Sequence, residues 1–157
     1  MFRDLLIGTA QDSAYQVSRH LMSEQARMAL REGFPELGLE TVMDWSLGKS
    51  GYVGVSKPMR ARMLDNAAPL RMQFLSEVPA KPFGCEQVAH LDCPVLYLEG
   101  ERSPWHAHAM GDAFVRCRPE AERVVLKRVS HGMTWEDAKA FNRVVLQFLG
   151  RSTLATQ

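Results

Sequence analysis

The sequence predicts an α/β fold, with a helical first half followed by a βαβα unit holding a short parallel sheet. Three observations carry that expectation. Apolar residues recur at helical spacing through much of the first half. Pro79-Ala80-Lys81-Pro82-Phe83-Gly84 then interrupts the chain, with prolines and a glycine crowded together. Beyond it, two short strand-like runs alternate with two helical patterns, the order that gives a parallel pair joined by a right-handed crossover. The expected division is a helical, lid-like region over 1–82 and an α/β part over 83–157.

In the first region, Asp12 or Ser13 stands where a short side-chain oxygen can cap a helix running to about Arg31. Val17, Leu21 and Met28 are expected on its buried face, and Gly33 and Pro35 are expected to close it. A second helix fits Leu39 to Leu47, with Gly48 in the C-cap position. Ser56-Lys57-Pro58 restarts a helix, with serine as N-cap and proline in the first turn. Pro69 should break or kink that segment, because it lacks an N–H and crowds the preceding turn. Short helices rich in Met and Ala make an adaptable layer, which suits a lid over a pocket and equally an ordinary helical bundle.

After the boundary, Pro94-Val95-Leu96-Tyr97-Leu98-Glu99 is a continuous apolar run ending at Gly100, the pattern of a parallel strand buried on both faces. Trp105 to about Cys117 reads as a helix, and Arg123 to Val129 as the second strand. Thr134 is then placed to cap a helix through Leu149, with Phe141, Val144, Val145 and Phe148 on one face and Gly150 as its stop.

Composition narrows the function classes. Of the 157 residues, 46% are hydrophobic and 24% charged, the balance of a globular chain rather than a disordered one. A formal net charge of +1 provides no field that would gather nucleic acid or an anionic membrane. The longest apolar runs are too short to span a bilayer, and the first ten residues are a poor signal peptide. Cys85, Cys93 and Cys117 are too few and scattered for a disulfide framework or a zinc knuckle, so a reducing cytoplasm is the expected compartment. Cys93, at the start of a buried strand, is expected to be apolar filler.

From about Val88 to Gly150 the chain resembles the end of an α/β-hydrolase. The residues that carry the likeness are Leu91-Asp92-Cys93-Pro94-Val95-Leu96, Gly100, Ser130-His131-Gly132, and Phe141-Asn142-Arg143. In that family the first strand leads to a loop that often holds the catalytic acid, and the next leads to the catalytic histidine. The resemblance therefore implies an incomplete α/β-hydrolase fold with a helical cap, and His131 as general base. A serine hydroxyl is a poor nucleophile until an imidazole takes its proton, and a carboxylate must hold that imidazole in the correct tautomer. No cofactor is implied.

The family's nucleophile elbow, G-x-S-x-G, occurs nowhere in the sequence. Gly48-Lys49-Ser50-Gly51 has the wrong spacing and reads as a helix cap and turn; Met43 stands where a phosphate loop needs glycine. Many relatives carry the acid three residues beyond the strand-end glycine, where this chain has Ser103. Glu101 is the nearby candidate, and other relatives take the acid from the strand before the cap. Trp105 follows this loop and is expected either to line the substrate pocket or to pack. His106 and His108 would point to different sides of a helix, so no metal site is expected. Lys57, Arg60, Arg62 and Arg71 read as a solvated helix face.

The expectation is the C-terminal part of a serine-type hydrolase acting on an ester or similar acyl bond of a small organic molecule. It would be inactive without an N-terminal half that supplies the nucleophile. Because the family pairs the Pro94–Glu99 strand with one not found here, its open edge would favour self-association or a partner chain. The alternative is a non-catalytic interaction module derived from a hydrolase fold.

Overall fold

In the computed structural model, residues 3–76 and 81–154 are described. They fall into two compact units, one made of the described residues within 10–81 and the other of those within 3–9 and 82–154. The chain is mostly helical, with a two-stranded parallel sheet among the described residues, as an α/β chain should be.

The first unit contains α1 (Asp12–Arg31), α2 (Pro35–Leu47), α3 (Gly51–Gly54), α4 (Lys57–Asp65) and α5 (Ala67–Leu75). α1 runs over the span expected, but neither Asp12 nor Ser13 caps it. Gln11 holds the N-cap position without a side-chain bond, and Asp12 already lies in the first turn. The buried face is also rotated from the one expected. Tyr15, Met22, Ala26, Ala29 and Leu30 are buried, whereas Val17, Leu21 and Met28 are 58%, 56% and 52% exposed. The reason is packing against α2 and α5, which selects the stripe containing small alanines; Gly38 of α2 comes so close that a Cβ there would lie 2.9 Å from Leu30 Cγ.

Gly33, at φ +87°, ends the turn after α1, but Pro35 opens α2 rather than closing α1, because its missing N–H is free of any duty at a helix start. Gly48 takes a positive φ of 102° at the C-cap of α2, and Ser50 follows in the left-handed region, which makes Gly48–Gly51 the expected turn. Asp44 holds that turn by accepting from the Tyr52 N–H at 2.8 Å. Ser56 is the N-cap of α4, without a side-chain bond. The break expected at Pro69 falls earlier, at Asn66, and Pro69 sits in the first turn of α5, where it loses no helical bond.

The second unit holds a short 3-10 turn (Arg3–Leu6), α6 (Cys85–Ala89), β1 (Leu96–Gly100), α7 (Trp105–Cys117), β2 (Glu122–Leu126), α8 (Met133–Glu136) and α9 (Ala138–Leu154). β1 and β2 pair in parallel, Leu96 opposite Glu122 through Gly100 opposite Leu126. Alternation puts Tyr97, Glu99 and Arg123 on one face, against α7, where Tyr97 and Phe114 rings lie 5.2 Å apart. Leu98, Val124 and Leu126 face the other way and join Val129, Met133, Phe141 and Val144 in a core under α9. Both strands are shorter than their apolar runs suggested, and β1 is half-buried until Glu99 and Gly100.

Four further expectations change here. Thr134 lies inside α8, and the last helix starts at Ala138, where the Asp137 carboxylate accepts the Ala140 N–H at 2.9 Å. Gly150 does not stop α9, which continues to Leu154. Cys85 and Cys117 form a disulfide between α6, which the sequence pattern did not reveal, and the end of α7, with Cα atoms 5.1 Å apart. Wide separation in sequence concealed that proximity. Cys93 is exposed rather than buried, since β1 begins only after it.

Candidate functional site

The parallel pairing brings both strand ends to the same edge of the sheet, and two loops meet there. The loop after β1 donates from Glu101 N–H to the Leu126 carbonyl at 2.9 Å and from Arg102 N–H to the Val129 carbonyl at 2.8 Å. Contact is closest at Gly100, where a Cβ would stand 2.1 Å from the Ser130 carbonyl oxygen and 2.5 Å from that of Val129. Only glycine permits this approach of two backbones. Beyond β2, Arg128 turns the chain with φ 61°, and Val129 and Met133 are buried on either side of His131. His131 thus stands between two anchored residues at the carboxyl edge of the sheet.

His131 is exposed, yet the protein packed around it still withdraws enough water to push its pKa below the ordinary histidine value. A neutral imidazole is the form that can accept a proton. His106, in the first turn of α7, is buried, and its pKa is pushed down to about 4, chiefly by desolvation and then by the nearby His131. Trp105 is half-exposed and meets the His106 ring edge-on at 5.8 Å. His108, on the same helix, turns instead towards Glu99, its Nδ1 lying 3.3 Å from a carboxylate oxygen. Among the described residues, no group of three or more His, Cys, Asp or Glu is arranged to hold a metal ion.

Glu101 lies in the loop after β1, with its carboxylate committed to the neighbouring strand end. It accepts from Lys127 Nζ at 2.9 Å and from the Arg128 N–H at 2.9 Å, and these two contacts hold its pKa below the usual carboxylate value. Ser103 is buried, and its hydroxyl has no hydrogen-bond partner among the described residues. The structure therefore brings His131, Glu101, Ser103 and His106 to one edge of the unit without joining Glu101 to the imidazole.

Two acidic residues near this edge escaped the sequence pattern. Glu99, 3% exposed, binds Arg123 through Nε at 2.9 Å and Nη2 at 2.6 Å, and Arg123 reaches Asp112 at 2.6 Å. A glutamate at the end of an apolar strand was the available signal. Glu136 accepts the Ser130 N–H at 2.6 Å and the Ser130 hydroxyl, while that hydroxyl accepts the Gly132 N–H at 3.1 Å. Nothing in the spacing of Ser130 and Glu136 is diagnostic.

A separate groove of about 1100 Å³ lies on the helical unit, lined by Val17, Leu21, Leu37 and Trp45 among others. Val17 and Leu21, two of the exposed apolar residues of α1, face it.

A helical α/β chain with a histidine loop at the carboxyl edge of a parallel pair is the class these features define. No family model matches the chain, and no solved structure matches it. A 2-hydroxy-6-oxononadienedioate/2-hydroxy-6-oxononatrienedioate hydrolase of Cupriavidus pinatubonensis is 31% identical over 100 residues, which cover 59% of this chain and 34% of that protein. The chain thus spans about a third of the relative it matches. That partial likeness links it to a hydrolase. Among the described residues, no helix is long and apolar enough to cross a membrane.

Proposed function

We propose that this chain is the C-terminal part of a serine-type α/β-hydrolase, in which His131 takes the proton of a serine supplied from outside the chain. The observation that carries the reading is the placement of His131 beyond a parallel strand, beside the loop that follows Gly100. The partial likeness to a hydrolase named for small keto-dicarboxylate compounds supports it. The substrate class would be an ester or similar acyl bond in a small organic molecule. By chain order, the helical unit corresponds to the family's variable cap.

In this reading His131 acts first as base towards the serine and then as acid towards the leaving group. Glu101 would have to exchange Lys127 and the Arg128 amide for the imidazole, which favours an acid from outside the chain. The same external segment would supply the elbow and would pair with the open side of β1.

The chain by itself is expected to give no hydrolysis of 4-nitrophenyl acetate or butyrate above buffer. Turnover that disappears in His131→Ala would place a nucleophile within this chain and overturn the reading. A second reading, a non-catalytic interaction module, draws on the absence of G-x-S-x-G and on Ser103 at the acid position. It requires a partner whose binding is indifferent to His131→Ala.

A further inference from the structure

The loop that carries His131 is fastened from within. Ser130 and Gly132, the residues on either side of the histidine, are both buried, and their backbone N–H groups would be costly to leave without acceptors. Glu136, at the end of α8, meets the first need directly and the second by way of the Ser130 hydroxyl. One carboxylate oxygen takes the Ser130 N–H, the other takes the Ser130 hydroxyl hydrogen, and the hydroxyl oxygen receives the Gly132 N–H. Gly132 is also pressed from the outside. A Cβ there would lie 2.5 Å from Trp135 Cζ2 and 2.8 Å from Glu136 Oε1, so the indole and the carboxylate close tightly over the backbone at this point. Among the described residues Glu136 makes no ion pair, and its oxygens serve this loop.

We propose that Glu136 is a positioning residue for His131: it holds the Ser130 N–H directly and the Gly132 N–H through the Ser130 hydroxyl, the two peptide N–H groups that flank the histidine, and so fixes the direction in which the imidazole leaves the backbone. An imidazole at the end of a mobile loop would spend much of its time away from any serine proton, and geometry of this kind governs general-base efficiency. The functional meaning of the clamp rests on the reading of His131 as the base, but its existence does not, and it is testable without turnover.

The test is NMR on the full chain, following hydrogen exchange at the Ser130 and Gly132 amides and the titration of the His131 ring, assigned by comparison with His131→Gln. In the unaltered protein both amides are expected to be protected and His131 to titrate below the ordinary histidine range. Glu136→Ala should speed exchange at both amides roughly ten-fold or more. It should also move the His131 titration towards the ordinary value, as a loosened ring gains water, and leave the Val124 amide in β2 unchanged. Glu136→Gln, which keeps a carbonyl acceptor, should recover much of the Ser130 protection. If the alanine variant fails to fold, Ser130→Ala reads the same clamp, with loss of protection expected at Gly132. A folded Glu136→Ala or Ser130→Ala variant with unchanged amide protection and an unchanged His131 titration would overturn the proposal. Failure of the catalytic reading would leave all of these spectra as expected, so the two outcomes separate.

Discussion

An added methyl group on Gly100 would lie 2.1 Å from a backbone carbonyl oxygen, a contact that no side-chain rotation can relieve. Gly100→Ala is therefore expected to cost about 3 kcal/mol or more, because the strand end and the histidine loop must separate. Gly111→Ala is the contrast. Its Cβ would meet Glu99 Oε2 at 2.8 Å, Arg123 Nη2 at 2.9 Å and Tyr97 Cε1 at 3.0 Å, side-chain atoms rather than backbone, and alanine favours the helix. A loss of about 1–2 kcal/mol, smaller than at Gly100, is expected there because the buried ion pair must give by a few tenths of an ångström. Urea denaturation of the two variants checks the pair, and equal losses would contradict the account of Gly100. The sequence marked Gly100 as the end of a strand, but a contact between two loops some thirty residues apart leaves no local trace.

Also at the residue scale, His106 makes stability depend on pH. Its folded pKa, about 4, lies below the ordinary value of 6.5, so the unfolded chain binds more protons between those limits. The contribution is fully present above about pH 6.5 and is lost as pH falls towards 4, amounting to roughly 3 kcal/mol. His131 is shifted in the same direction and adds to the slope. His106→Gln should flatten the acid limb of a stability-versus-pH curve measured by denaturant titration. An unchanged limb would show that His106 is hydrated in the folded protein. Sequence reasoning weighed His106 only as half of a metal pair, because helical periodicity tells which side a residue faces and not how dry that side is.

Between elements, two devices hold the α/β unit, and neither is local in sequence. Arg123 of β2 neutralises the buried Glu99 of β1, so Arg123→Met leaves a carboxylate in the interior with only His108 near it. A loss of about 3–5 kcal/mol is expected by thermal or urea unfolding. A loss below about 1 kcal/mol would mean that Glu99 takes up a proton or finds water. The Cys85–Cys117 disulfide closes a loop across a sequence separation of 32, which in the chain-entropy account stabilises by about 3–4 kcal/mol. Unfolding with and without reductant, alongside Cys117→Ser, measures it, and identical curves would show the bond to be without weight. Helix spans were the most legible elements: α1 and α7 follow from periodicity, because long amphipathic stripes are strong signals. α6 was missed because five residues carry no period, and the face of α1 was misjudged because Val17, Leu21 and Met28 form an apolar stripe that stays exposed, with Val17 and Leu21 lining a groove rather than the core.

For the whole molecule, the order of elements in residues 88–150 was readable, and the parallel pairing of the two strands follows it. His131 was legible because strand, short loop and helix succeed one another with a histidine between them. The clamp around it was not, since Glu136 acts on backbone groups that any sequence possesses. The absence of a G-x-S-x-G motif is read directly from the residues. The central claim is that His131 belongs to a catalytic set completed from outside this chain. Reading the coding DNA immediately upstream of the Met1 codon tests it most directly. The account expects a strand-rich segment containing G-x-S-x-G, in frame or in an adjacent gene, with a carboxylate at the end of a strand preceding the helical unit. An upstream region that encodes nothing of the kind would contradict the enzyme reading and leave the interaction module in its place.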